Sequence, residues 1–294
     1  MGPHPSLLYR AFELRAPYPM ARTVYSVFAR RPRLPRMTST ESSGSGDIGR
    51  TLELLWDTGP RPSRGPKPGL SVDRIVDAAV RIADEEGLDS VSMRRVATDL
   101  GTGAMSLYRY VPGKAELLDL MLDRVRFPDR PNDGAGGDSW RAALEAAARD
   151  ALAVHRRHPW LLRVNQSRPL LGPRALATLE HLLGRIRPMG LTDPELVSTV
   201  VMIDGYVVGA ARTQVHQEEA ARSTGLTDAE FYGAQVPALE KAMATGAYPT
   251  LASLSPDTFT AGFDHFEFGL GRILDGLEVV VRQRWAAGEF SGGA

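Results

Sequence analysis

The sequence predicts an all-α chain: a small three-helix reader with a connecting helix, followed by a larger helical bundle. Three observations predict it. Beyond Ser71, apolar residues recur at three- and four-residue intervals, the period of a helix with one face inward. The alternation of a half-buried strand is absent. The separators are Pro/Gly turns such as Arg187-Pro188-Met189-Gly190.

The bulk numbers exclude several classes. The chain has 294 residues, room for two domains. It has no cysteine, which removes disulfides, thiol catalysis and Cys-ligated zinc, and suits the cytoplasm. No uninterrupted run approaches the roughly 18 apolar residues of a membrane span. Net charge is zero, so nucleic-acid binding must rest on a local basic patch. The basic residues are almost all arginine, lysine standing only at Lys67, Lys114 and Lys241.

Residues 1–69 read as a flexible extension. Residues 1–36 are Arg-rich with a single acid, Glu13. They fit a transit peptide, or an over-called extension ahead of a start at Met37, the simpler reading. Residues 38–50 are rich in Ser, Gly and Thr, residues 51–59 offer a helical turn or two, and residues 60–69 form a basic Pro/Gly arm or linker.

Order begins at Ser71, an N-cap preceded by Leu70 and followed by Ile75 as a hydrophobic staple. Ile75, Ala78, Ala79 and Ile82 face inward, and Gly87 stops the helix. Ser92 caps a second helix with Met93, Val96, Ala97 and Leu100 on one side. Gly101 supplies a left-handed cap that a β-carbon would penalise. A third helix runs from about Ala104 to Tyr110 and stops at Pro112-Gly113. A fourth covers about Lys114 to Arg126. After a break at 127–138, helices are expected at about 139–157, 159–167, 172–187, 194–219, 228–244 and 257–284, within a domain spanning 138–285.

The second and third helices form a helix-turn-helix, and a major groove admits one α-helix. Leu107 anchors the short third helix inward, leaving Ala104, Met105, Ser106, Tyr108 and Arg109 to face out. Arg109 suits a bidentate pair with guanine. Tyr108 suits a phosphate and its sugar. Arg94 and Arg95 reach backbone or a base edge. Lys114 opens a helix whose free N–H groups favour a phosphate.

The stretch from "DAAVRIADEEGL" through "SMRRVATDLGTGAMSLYRYVPGKAELLDLML" resembles the DNA-binding domain of the tetracycline-repressor (TetR) family, over about residues 70–126. The resemblance implies DNA roles for Arg94, Ser106, Tyr108 and Lys114. It places Ala104, Met105, Arg109 and Tyr110 at base-contacting positions whose identity varies among members. The second half resembles that family's ligand-binding, dimerising domain more weakly, through "GDSW", "SRP", "LEHLLGRIRPMGL", "DGYVVGA" and "FEFGLGRILDGLE".

That resemblance implies a homodimer, double-stranded operator DNA and a small-molecule effector as partners, no membrane, and no catalytic role. Gly205 and Gly209 permit close helix approach, and Phe263, Phe266, Leu270, Ile273, Leu274 and Leu277 line a last helix suited to a four-helix bundle or to one subunit's core. The family's magnesium-binding histidine position holds Val164, two ligand-contact positions hold Ala147 and Ala151, and a later acidic position holds Thr213. No cofactor or metal is therefore expected, and the pocket should be apolar, lined by Leu144, Ala147, Ala151, Trp160, Val164, Met202 and Tyr206. Asp204 is either a contact between subunits or a ligand contact.

His155, His158, His216 and His265 are the alternative, a helical metal enzyme, but no regular acid series accompanies them. The glycines of "LGTGAMS" lack a Walker lysine and a preceding strand. An activator or ligand-independent regulator on the same scaffold is the other alternative.

Overall fold

The computed structural model describes residues 41–57, 69–127, 139–255, 258 and 262–286. Residues 1–40, the basic arm but for Gly69, and the break at 128–138 lie outside the described residues. In order, the elements are β1 (Glu41–Ser42), α1 (Ile48–Leu55), α2 (Val72–Glu86), α3 (Met93–Asp99), α4 (Ala104–Tyr108), α5 (Lys114–Arg126), α6 (Trp140–Arg157), a 3-10 turn at Pro159–Arg163 and β2 (Val164–Asn165). They continue with α7 (Pro173–Ile186), α8 (Asp193–Thr224), α9 (Asp228–Gly233), α10 (Val236–Ala244), α11 (Pro249–Ala252) and α12 (His265–Ala286). The fold is all-α apart from the short parallel pairing of β1 with β2, Glu41 opposite Val164 and Ser42 opposite Asn165.

Local chemistry sets the ends of the reader helices. The Ser71 hydroxyl accepts from the Arg74 N–H at 3.2 Å and the Ser92 hydroxyl from the Arg95 N–H at 3.1 Å, each satisfying an otherwise orphaned donor. Gly87 ends α2 with φ +86°, in the region where a side chain is strained. Ser139 caps α6 in the same way, accepting from the Ala142 N–H at 3.1 Å. Glu195 reaches back to the Thr192 N–H at 2.8 Å to open α8.

Two apolar cores result. The first joins Ile75, Ala79, Ile82, Val96, Leu107, Leu117, Leu118 and Met121, and it also takes in Trp160, Leu161 and Val164. The second joins Leu144, Ala148, Leu152, Ile186, Met189, Leu196, Val207, Leu270 and Leu274. Helices α9, α10 and α11 contribute no buried residue.

Several expectations are corrected. Residues 41–55 are folded onto α5 rather than forming part of a flexible extension. The helix expected at 159–167 is a short 3-10 turn, because Val164 and Asn165 extend to pair with β1. The single helix expected at 228–244 divides, since Pro237 has no N–H for α9 to continue through. Helix α8 runs through Thr224, past the expected Glu219. By length and composition α8 is long and apolar enough to cross a membrane, with mean hydropathy 1.3 over its most apolar window. Its Leu196, Ile203, Val207 and Ala211 pack into the second core, Asp204 within it is ion-paired, and its opposite side, with Val201 and Met202, is exposed.

Candidate nucleic-acid interface

Helices α3 and α4 meet at a sharp corner. Gly101 takes φ +63°, and the Thr102 N–H turns back to the Ala97 carbonyl at 2.9 Å. Helix α4 is only five residues long and buries one of them, Leu107, completely. The Tyr110 and Val111 N–H groups both close on the Leu107 carbonyl, at 2.8 and 2.9 Å. The helix therefore stops at Tyr108, short of the expected Tyr110, although Arg109 keeps right-handed helical angles.

This anchor leaves Met105 and Tyr108 of α4 exposed. Met105 is 77% exposed, more than any other large apolar side chain among the described residues, and Tyr108 is 45% exposed. Arg109 is exposed and Ser106 half-buried. Ala104 and Tyr110 depart from the outward placement: both are half-buried and pack against the first core.

The cations divide by pairing. Arg94 and Arg109 are exposed and make no ion pair with any described residue. Arg95, expected to reach DNA, is instead held by Glu86 on α2 and faces Asp99 at 3.7 Å. The hydrogen bond from Arg95 holds the Glu86 carboxyl below its usual range, so this pair belongs to the fold of the reader. Lys114 is also engaged, its Nζ lying 2.7 Å from Glu41 Oε1.

Helix α5 connects the reader to the second domain. On one side Arg124 holds Asp73 and Asp77 of α2. At its last turn Arg126 donates to Gln166 at 2.6 Å and to Asp204 of α8 at 2.8 Å. Asp204, expected between subunits or on a ligand, thus pairs within its own chain while remaining 46% exposed. Next to this pair His155 is buried, its Nδ1 without a partner, and burial followed by the Arg126 charge pushes its pKa down. A second link runs from Asp84 on α2, whose carboxylate accepts from Trp160 Nε1 at 2.8 Å and meets His158 Nδ1 at 2.7 Å.

A third side of α5 carries acids. Glu116, Asp119 and Asp123 are all buried, three and four residues apart on one stripe. Segment 43–47 bonds to the first two: the Asp47 N–H donates to Glu116 at 2.9 Å, and Ser43 Oγ and the Gly44 N–H donate to Asp119 at 2.6 and 3.0 Å. Burial raises the Asp119 carboxyl pKa and the hydrogen bonds oppose it. Nothing in the sequence reading assigned these acids a role.

The ligand residues inferred from the sequence do not line one cavity. Leu144 and Tyr206 belong to the second core, with Ala151 packed against it and Ala147 half-buried on the same helix. Tyr206 stacks on Phe266 and donates to its carbonyl at 2.9 Å. Trp160 and Val164 belong to the first core instead, Trp160 tied to Asp84 and Val164 drawn to β1. Met202 and Thr213 lie on the exposed side of α8, and the Thr213 hydroxyl donates to the Gly209 carbonyl. A small cleft beside α5, between Ser43, Asp119, Asp123, Arg126, Gln166 and Leu170, has a volume of about 20 Å³, room for little more than a water molecule. Among the described residues no cluster of His, Asp and Glu could hold a metal ion.

Comparison with known proteins agrees with this anatomy. Residues 75–121 match the profile of bacterial regulatory proteins of the tetR family, and residues 130–281 match the tetracyclin repressor-like C-terminal domain. The chain is 71% identical over 249 residues to the HTH-type transcriptional repressor DrrR1 of Streptomyces coeruleorubidus, covering 85% of this chain and 92% of that protein. It is 31% identical over 243 residues to an HTH-type transcriptional regulator of Saccharopolyspora erythraea, covering 82% and 94%. Among solved structures it resembles the TetR family protein ActR of Streptomyces coelicolor in complex with actinorhodin, at TM-score 0.58 and 30% identity over 72% of this chain and 96% of that one. The complex of ActR with (S)-DNPA aligns at TM-score 0.52 and 28% identity, covering 72% and 99%.

Proposed function

The chain belongs to the tetracycline-repressor family of transcriptional regulators, and from that premise we propose a homodimeric repressor that holds a near-palindromic operator until a small, apolar effector releases it. The observation that carries the reading is α4. Its one fully buried side chain is Leu107, while Met105, Tyr108 and Arg109 are exposed, as is Arg94, which has no ion-pair partner among the described residues. In this reading Arg109 meets a base edge, Tyr108 and Ser106 meet the backbone, and Lys114 contacts a phosphate at the start of α5. No catalytic group takes part: a repressor works by differential affinity alone. A DNA target is consistent with a cytoplasmic protein.

The dimer is supported by unpartnered apolar surface. Val201 and Met202 on α8, and Phe268, Val279 and Val280 on α12, are exposed, and a Cβ added at Gly205 or Gly209 would meet only open space. A second copy packed on these helices would remove that surface from water. It would also set two α4 helices about 34–36 Å apart, one turn of DNA.

The effector reading rests on ActR, solved with actinorhodin and with (S)-DNPA bound, and on the path through α5. One end of α5 carries Lys114; the other, through Arg126, meets Asp204 and Gln166. A molecule seated between α6 and α8, against Leu144, Ala147, Ala151 and Tyr206, would shift that end and alter the spacing of the readers. By linkage it binds the DNA-free arrangement more tightly by the factor with which it weakens operator binding.

The experiment is selection of bound duplexes from random-sequence DNA, repeated with lipophilic compounds, with sedimentation to give the assembly state. A two-fold symmetric consensus lost on adding a compound is the expected result. A monomer indifferent to every duplex at low ionic strength would overturn the reading.

A further inference from the structure

We propose that residues 41–56 form an autoinhibitory strap, in which Glu41 occupies the Lys114 ammonium that a DNA phosphate would otherwise take. The proposal rests on the reading of Lys114 as a phosphate contact. Four features make this segment a built element. Thr51 is fully buried, and the Asp47 side chain caps α1 by accepting from the Arg50 N–H at 3.0 Å. The backbone and Ser43 satisfy the buried carboxylates Glu116 and Asp119 of α5. At Gly46 a Cβ would fall 2.3 Å from Glu116 Oε1, so a side chain there would push the Glu116 carboxylate out of its present position. At the far end Trp56 Nε1 donates to the Leu171 carbonyl at 3.3 Å, and at the near end β1 pairs with β2.

The strap therefore touches both working parts. It runs along α5, the element that joins reader to effector domain, and is fastened to residues 164–165, of which Val164 packs in the first core with the reader, and to residue 171. Its first residue delivers a carboxylate to the cation at the DNA end of α5. The two side chains are largely but not wholly covered, Lys114 34% and Glu41 22% exposed, so the pair is neither sealed from water nor fully screened. A phosphate approaching Lys114 meets an ammonium whose charge is already opposed at 2.7 Å. Either the phosphate displaces Glu41, or the contact is weakened by the nearby carboxylate. In both cases the strap lowers DNA affinity, and any event that loosens it raises that affinity.

Phosphate contacts are independent of base sequence, so the test needs no operator. Full-length protein is titrated onto a fluorescent duplex of arbitrary sequence, about three helical turns long, over a salt series. The wild type is compared with Glu41→Gln, Glu41→Ala, Lys114→Ala and the Glu41→Ala/Lys114→Ala double variant. Freeing a partly exposed pair should tighten binding roughly two- to five-fold per subunit, and steepen the salt slope by about one counterion per subunit. Lys114→Ala should weaken binding and flatten the slope, and the double variant should behave as Lys114→Ala. Weaker binding by Lys114→Ala with no change in either Glu41 variant would overturn the strap alone. Equal tightening by Glu41→Ala with and without Lys114 would overturn it too, as a mere change of net charge. No effect of Lys114→Ala would overturn the phosphate role of Lys114, and the strap's inhibition with it.

Discussion

Replacing Arg109 with alanine separates reading DNA from holding it. Arg109 is exposed, has no ion-pair partner among the described residues, and follows a helix anchored by Leu107 alone. The change should therefore leave stability within about 0.5 kcal/mol of wild type, as for surface positions without special features. A bidentate arginine–guanine pair is worth about 1–3 kcal/mol of discrimination. At about 1.4 kcal/mol per factor of ten, that is roughly 5- to 150-fold at one base pair of each half-site. The assay is competition binding against duplexes carrying each single-base change in the selected consensus, at several salt concentrations. Preference should collapse at one symmetric pair of positions and persist elsewhere, with the salt slope nearly unchanged. If the preference survives and the slope falls by about one per subunit, Arg109 holds a phosphate and the base-reading assignment is refuted.

Leu107→Ala removes the only buried side chain of α4 and should cost about 2–5 kcal/mol, read as a lower midpoint in urea unfolding together with loss of DNA binding; a variant of unchanged stability would deny its anchoring role. Asp123→Asn tests the buried stripe on α5. Burial raises the Asp123 carboxyl pKa, with the Arg174 charge opposing. The folded chain then holds this proton more tightly than the unfolded one, so its favourable contribution is full below about pH 3.9 and is lost as pH rises through the raised value. The amide, which cannot ionise, should stabilise by about 1 kcal/mol at pH 7 and leave the midpoint unchanged in acid; destabilisation at pH 7 would mean that the attraction of Arg174 outweighs burial. Deleting residues 1–36, which precede the first described contact of the strap, should change neither the thermal midpoint nor DNA affinity, and a drop in either would make that stretch part of the working protein.

The reader was legible because its signals are local. Ser71, Ser92 and Gly101 act within a few residues of themselves, and Ile75, Ala79 and Ile82 declare a buried face by spacing. The strap was not legible for the opposite reason. Ser43, Gly44 and Asp47 look like a flexible tract until Glu116 and Asp119, about seventy residues on, supply the acceptors that order them. Trp160 misled in a related way: its spacing suited a pocket wall, but Asp84, seventy-six residues earlier, draws its indole into the first core. The pairing of Arg95 and of Lys114 depends likewise on partners outside their own helices, so spacing marks where cations stand but not which of them are free. The division between α9 and α10 was readable, since Pro237 stands inside the expected helix.

Pairing also explains how a chain of zero net charge presents a cationic face. Around the reader, Arg81, Arg95 and Arg124 are held by five acids, Glu85, Asp99, Glu86, Asp73 and Asp77, so the charge of each of the three is opposed within the fold. Among the described residues, Arg94 and Arg109 at α3 and α4 have no ion-pair partner, while Lys114 is held by Glu41. At physiological salt the screening length is about 8 Å, so acids in the second domain do little to the potential that a phosphate meets at α4. Global charge thus says little about this surface, whereas the state of one nearby pair says a good deal. Of the cations around the reader, Lys114 is paired with a residue from outside it, at the start of a segment that also fastens to residues 164–165. Its field is therefore the one that release of this segment would change without unfolding the reader.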